Sequence, residues 1–249
     1  MNTADCRPGL AVITNVPTPY RMHLHHRIAQ EIPELKLHSI FTRGCSDFTW
    51  NTDVPEEINA AHFGDPSDST SRFAWRHPVR DLRRASRIIE YLAANNVRAV
   101  LFNIHCDPAM LKTFSFCHRH GIRTFVRSDS NIRNKKKRWD VIGWLRSHVL
   151  RRVLRRCDVA MPMGELGQRY FEKHGADPEQ CIWVPYEPDY ELFSSVDPAA
   201  LAAFRAKHSL SEDRRYLLFS GRLVRVKRVD LLLDAFAEIA GQRPSWDVV

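Results

Sequence analysis

No stretch of this 249-residue chain approaches the roughly 18 consecutive apolar residues that a membrane-spanning helix needs. The opening residues, Met1-Asn-Thr-Ala-Asp-Cys-Arg-Pro8, have neither the basic segment nor the apolar core of a secretory signal, so a cytoplasmic location is expected. Six cysteines, at 6, 45, 106, 117, 157 and 181, stand singly with no Cys-x-x-Cys pair. That spacing argues against a zinc site and, without a leader, against a disulfide framework. There is no Gly-x-Gly-x-x-Gly, no Asp-x-Asp, no internal repeat and no low-complexity tract. What remains is an ordinary globular balance, 44% apolar and 27% charged, with length for one large core or two modest ones. The net charge of +8 points to anionic partners: nucleotide, phosphate, nucleic acid or an anionic membrane surface. No RNA- or DNA-binding motif accompanies the charge, so nucleic acid is not expected as a partner.

The most informative stretch runs from Tyr216 to Phe236. Tyr216-Leu-Leu-Phe-Ser220 is an apolar run suited to a buried strand, and Gly221 breaks it. From Val229 the apolar positions Val229, Leu232, Leu233 and Phe236 fall at helical spacing. Strand, glycine loop and helix form the repeating unit of a nucleotide-binding α/β sheet, whose ligands sit beyond the carboxyl ends of the strands. Arg222 follows the glycine and Lys227 precedes the helix, two cations suited to a diphosphate.

The rest of the chain alternates in the same way. Strands are expected at Leu10–Thr14, Lys36–Phe41, Arg98–Asn103, Arg123–Arg127, Asp158–Pro162 and Cys181–Pro185. Helices are expected after the Asn15–Arg21 turn to about Ile32, over Asp81–Asn95 with Leu82, Ala85, Ile88, Ile89 and Leu92 inward, to about His120, through 136–156, and over Glu165–Lys173 and Pro198–His208. Residues 43–80 read as a loop draped over the sheet by Trp50, Phe63, Phe73 and Trp75. The rhythm implies a doubly wound, Rossmann-like parallel sheet covered on both faces. Strand ends then become the places for chemistry: Asn15–Arg21, His105 with Asp107, and Arg127-Ser-Asp129-Ser-Asn131. Tyr20 and Arg21 suit either the packing of a helix start or an acceptor role, and His105 either a helix cap or a substrate contact.

Gly221-Arg-Leu-Val-x-x-Lys227-x-Val-Asp-Leu-Leu-Leu-x-Ala-Phe236 resembles the second-domain signature of the GT-B glycosyltransferases of family 4, with Arg228 where that family has a glycine. Pro17-Thr-Pro-Tyr-Arg21 and Arg127-Ser-Asp-Ser130 are similar to segments in the first domain of that family. The resemblance implies transfer of a sugar from a nucleotide-sugar donor to an acceptor hydroxyl, with retained configuration and without a metal or other cofactor. Gly221, Arg222 and Lys227 would bind the donor diphosphate. Pro17, Thr18, Tyr20, Arg21, Arg127 and Ser128 would lie on the acceptor side, with His105 and Asp129 as candidate catalytic residues. A carbohydrate or lipid-linked acceptor is implied.

The same resemblance divides the chain into a first domain over 1–190, a junction over 191–212 and an incomplete second domain over 213–249. A Glu-x7-Glu motif that holds the donor sugar is expected past the end; Glu179 and Glu187 have that spacing but precede the Gly-Arg loop. This form is therefore expected to be inactive alone. A different class of reading, a catalytically inactive fragment that binds a membrane or a partner, attaches to residues 132–157. That stretch carries Arg133, Lys135–Arg138, Arg151, Arg152, Arg155 and Arg156, with Trp139, Ile142, Val149, Leu150 and Val153 on an inward stripe. Trp144 falls on the opposite side, which suits either a solvated basic face or the inner face of an anionic membrane.

Overall fold

The structure, a computed structural model, describes residues 6–44, 54–64, 77–103, 107–133 and 141–249. The chain divides into two compact units, residues 1–189 and residues 190–249.

In the first unit β1 (Gly9–Thr14) leads to α1 (Pro19–Glu31), β2 (Lys36–Phe41) and the two-residue β3 (Ala61–His62). After these come α2 (Pro78–Ala94), β4 (Val97–Asn103), α3 (Pro108–Arg119), β5 (Arg123–Ser128), α4 (Val141–Leu154), β6 (Val159–Pro162) and α5 (Glu165–Lys173). The six strands make one sheet in the order β3-β2-β1-β4-β5-β6, every pairing parallel. Alternation along β1 feeds both faces. Ala11 and Ile13 join Ile88 and Leu92 of α2 and Met110, Phe114 and Cys117 of α3. Val12 joins Met22 of α1 with Leu37 and Phe41 of β2. Phe41, Phe102 and Phe171 are among the largest fully buried side chains, each stabilising by about 1.5–3 kcal/mol.

Helix starts are written in the sequence. Proline occupies the first turn of α1, α2 and α3, where its missing N–H costs nothing. Asp107 caps α3 by accepting from the Met110 N–H at 2.7 Å. At the opposite edge of the sheet the Asp158 carboxylate accepts from the Thr124 N–H at 2.8 Å and from Arg123 at 2.6 Å, tying β5 to the start of β6.

Several expectations are corrected. Residues 43–80 contain β3, too short to leave a period in the sequence; its register is Ile40 to Ala61 and Phe41 to His62. Phe63 packs edge-on against Tyr91 at 5.6 Å, while Trp50, Phe73 and Trp75 lie outside the described residues. α2 starts at Pro78 rather than Asp81, because Pro78 is pre-set for the first turn. Its inner face holds the buried ion pair Asp81–Arg84 at 2.9 Å, and Leu82 is exposed instead. Segment 181–185 is not a full strand. Cys181 makes a single parallel bridge to Ala160, and the Ile182 and Val184 N–H groups donate to Ala160 and Pro162.

The second unit comprises α6 (Tyr190–Ser194), α7 (Pro198–Lys207), β7 (Arg215–Leu217), α8 (Val229–Ala240) and β8 (Trp246–Val248). β7 and β8 pair in parallel, clamped by Arg214 on the Asp247 carboxylate. The strand expected over 216–220 is shorter, although the Phe219 N–H still reaches the Val249 carbonyl at 2.8 Å. No residue of this unit is buried. Leu218, Leu223 and Val226 stand among its exposed apolar side chains.

Candidate functional site

In an open parallel sheet the crevice forms where strand order reverses, here between β1 and β4. A cleft of about 370 Å³, counting the solvent it opens to, lies there. Its polar lining is Thr14, Asn15, Thr42, Asn103, Asp107 and Thr113, over a floor that includes Ile13, Phe102 and Met110. Asn103 donates to the Ile13 carbonyl at 3.2 Å, and Thr113 to the Ala109 carbonyl at 2.9 Å. The Thr14 hydroxyl is buried without a hydrogen-bond partner, so the cleft holds one unsatisfied polar atom at its base.

Beside it the end of β5 meets the start of α1 through Tyr186. Arg127 is 5% exposed, its Nη2 donating to the Pro185 carbonyl at 3.0 Å and its guanidinium lying 5.1 Å from the Tyr186 ring centroid. Tyr186 packs edge-on against Tyr20 at 5.3 Å, and Arg21 lies 5.4 Å from the Tyr20 ring. Burial, with the neighbouring Arg21 cation, pulls the Arg127 pKa below the ordinary guanidinium value. Burial, Tyr20 and the Asp129 carboxylate push the Tyr186 phenol up. His25, one turn along α1, is buried and bonded to the Ser39 hydroxyl at 2.7 Å. Burial first, then Arg21 and Arg127, lower its pKa to about 4, so the imidazole stays neutral amid cations. Thr18 stands at the cap position of α1, 4% exposed, and its hydroxyl makes no cap bond.

Segment 182–189 is fastened to this unit at several points. Trp183 donates to Gln168, Arg27 meets Glu187 at 2.9 Å and His23 meets Asp189 at 3.4 Å. Glu187 therefore spends its charge on α1.

In the second unit the chain turns tightly after β7. The Val224 N–H donates to the Arg222 carbonyl and the Lys227 N–H to the Val224 carbonyl, both at 2.8 Å. Arg225–Lys227 form one 3₁₀ turn before α8. Arg228, the cap of α8, has φ 51° and ψ 43°, a left-handed conformation in which glycine carries no penalty. Its guanidinium holds the Asp230 carboxylate at 3.1 Å. Arg222 and Lys227 are both exposed, and a Cβ at Gly221 would meet the Phe219 ring at 3.3 Å.

The structure thus brings Tyr20, Arg21 and Arg127 into one cluster with Thr18 at its helix start. Ser128 accepts from the Ser130 N–H at 3.1 Å, Asp129 is exposed near Tyr186, and Pro17 stands in the turn before Thr18. His105 lies outside the described residues. Sequence reasoning missed Tyr186, whose setting in Trp-Val-Pro-Tyr-Glu-Pro after an extended segment was the available signal. It also missed Thr14 and Thr42, which carry none.

No protein-family model matches the chain. Among solved structures it is similar to the sucrose-phosphate synthase of Thermosynechococcus elongatus, at TM-score 0.72 and 14% identity, over 97% of this chain and 61% of that one. It is also similar to Anabaena HepE in complex with UDP and glucose, at TM-score 0.66 and 11% identity, over 97% and 60%. The UDP-N-acetylglucosamine 2-epimerase of Rickettsia bellii follows at TM-score 0.54 and 14% identity, over 98% and 62%. The fold class is therefore the α/β, Rossmann-like GT-B type. In sequence the chain is similar to the D-inositol 3-phosphate glycosyltransferase of Kineococcus radiotolerans, 37% identical over 71 residues, which are 28% of this chain and 16% of that protein. The corresponding protein of Geodermatophilus obscurus is 35% identical over 74 residues, 30% of this chain and 16% of that protein. The chain spans less than two thirds of the solved structures it resembles, and the sequence matches cover a small part of the curated relatives.

Proposed function

We propose that this protein is a glycosyltransferase that moves a sugar from a nucleotide-sugar donor to an acceptor hydroxyl. The observation that carries the reading is the turn from β7 to α8, where Arg222 and Lys227 are exposed before a helix N-terminus whose dipole favours an anion. Similarity to HepE, solved with UDP and glucose, and to curated glycosyltransferases supports it.

In the mechanism, Arg222 and Lys227 neutralise the charge that grows on the diphosphate as the glycosidic bond breaks. With two side-chain cations on the leaving group, transfer proceeds without a metal, and departure and attack on one face retain the anomeric configuration. On the acceptor side, the cleft at β1 and β4 offers hydroxyl and amide groups suited to a polyhydroxyl ligand, and the unpartnered Thr14 hydroxyl gains a bond when one enters. Tyr20, Arg21 and Arg127 border the acceptor, and Asp129 and His105 are the proposed proton acceptors for its hydroxyl.

The test is transfer from a labelled nucleotide sugar by the full-length gene product, with product stereochemistry read by NMR. Arg222→Ala or Lys227→Ala should each lower turnover by roughly 10²–10³-fold, the cost of one lost charge donor, or about 2.7–4 kcal/mol. Undiminished turnover in both variants contradicts the assignment. Because the same fold occurs in a nucleotide-sugar epimerase, the assay also follows the donor sugar's configuration without acceptor; epimerisation with no transfer replaces the reading.

A further inference from the structure

The first unit has a basic face that the proposed transfer chemistry does not use. From Ile132 to Cys157 the sequence has ten Lys or Arg and one acid, Asp140. Among the described residues of that stretch, Leu150, Val153, Leu154 and Cys157 turn inward and fill the core. At 100° per residue, the direction away from them holds Trp144, Leu145, His148, Arg151, Arg152, Arg155 and Arg156. Trp144 is 68% and Leu145 48% exposed, and the four arginines are exposed with them. No carboxylate among the described residues pairs with any of the four.

Two details make this more than a solvated helix. Trp144 stacks on His148, ring centroids 5.7 Å apart and 22° from parallel, so the indole is held on the outer side rather than folded toward the core. Gly175, at φ 91°, lets the α5 end approach so closely that a Cβ there would come within 3.1 Å of Arg155 Cγ and 3.3 Å of Arg151 Cγ. The stems of both arginines are therefore packed against the backbone at Gly175, and the residues remain exposed. From Trp144 to Arg155 the strip is about 17 Å long at 1.5 Å per residue. An indole and a leucine at one end, with cations along the rest and no acid between, complement a surface that offers headgroup phosphates above an apolar layer. Among the described residues no helix is long and apolar enough to cross a membrane, so such attachment is peripheral.

We propose that the outward face of α4 and of the turn that follows it docks on an anionic lipid surface, with Trp144 at headgroup depth and Arg151, Arg152, Arg155 and Arg156 on lipid phosphates. This assignment is independent of the transfer reading, and its test uses no sugar nucleotide. The measurement is co-sedimentation of the 249-residue protein with vesicles of phosphatidylcholine alone or with 30% phosphatidylglycerol, at 0.1 M and 1 M NaCl. Binding is expected only to the anionic vesicles and only at low salt, as the screening length falls from about 10 Å to about 3 Å. Arg152→Gln and Arg156→Gln, both on the surface, should each lower the partition coefficient about five-fold, and Trp144→Ala should lower it and abolish a blue shift of tryptophan emission on binding. Arg83→Gln, an exposed α2 arginine outside this face, keeps wild-type partition if the face is specific. Equal recovery with neutral vesicles, an equal loss in Arg83→Gln, or binding to a single-stranded RNA oligonucleotide but not to vesicles overturns the proposal.

Discussion

His25 gives a prediction whose sign and size both follow from the structure. Buried, bonded to Ser39 and flanked by Arg21 and Arg127, it titrates at about 4 in the folded protein against an ordinary histidine value of 6.5. A histidine held neutral in this way leaves stability fully present above pH 6.5. Below that the unfolded chain takes up the proton first, and stability falls until about pH 4, where the folded state also protonates. The full depression corresponds to roughly 3 kcal/mol, of which about 2 kcal/mol is lost between pH 7 and pH 5. The assay is urea unfolding followed by tryptophan emission at both pH values, for wild type and His25→Gln. The wild type should lose about 2 kcal/mol more than the variant between the two conditions. Equal losses would mean that His25 is not neutral and buried among cations, and the packing described at the α1 start would be wrong.

Arg84→Met removes the Asp81 carboxylate's buried partner and should cost about 3–5 kcal/mol, while Asp81→Leu with Arg84→Met should recover most of it; unfolding midpoints that fail to recover contradict the reading of a buried pair. Cys117 and Cys157, their thiols pushed up to about 12 by burial, should resist a thiol reagent at pH 8 that labels exposed Cys6; mass mapping that finds Cys117 or Cys157 labelled in the native protein refutes this. Arg228→Gly should relieve roughly 1 kcal/mol of left-handed strain and raise the hydrogen-exchange protection of α8; unchanged or weaker protection contradicts it.

What could be read in advance follows from where information sits in a sequence. The parallel sheet was legible because strand and helix periods alternate over long, strongly patterned segments. β3 was not, since two residues carry no period and its place depends on pairing with Ile40 and Phe41. The inward stripe of α2 was legible at Ala85, Ile88 and Leu92 but not at Asp81 and Arg84, because a helical period counts apolar residues and these two inner positions hold a buried ion pair. At the site, Tyr20, Arg21 and Arg127 could be named from strand ends. Tyr186, which joins them, arrives from about 60 residues downstream of Arg127 through a fold that only tertiary packing specifies. The αL residue before α8 was half legible: Arg228 stands where the resembling family has glycine, and the structure supplies the reason in its positive φ.

The central claim, that the turn after β7 receives a nucleotide diphosphate, is tested most directly by backbone NMR of the isotope-labelled protein during titration with UDP. The account predicts shifts concentrated in residues 220–232, saturating with UDP and lost in Arg222→Ala and Lys227→Ala. Shifts confined to residues 6–189, or a response in 220–232 that survives both substitutions, would contradict it.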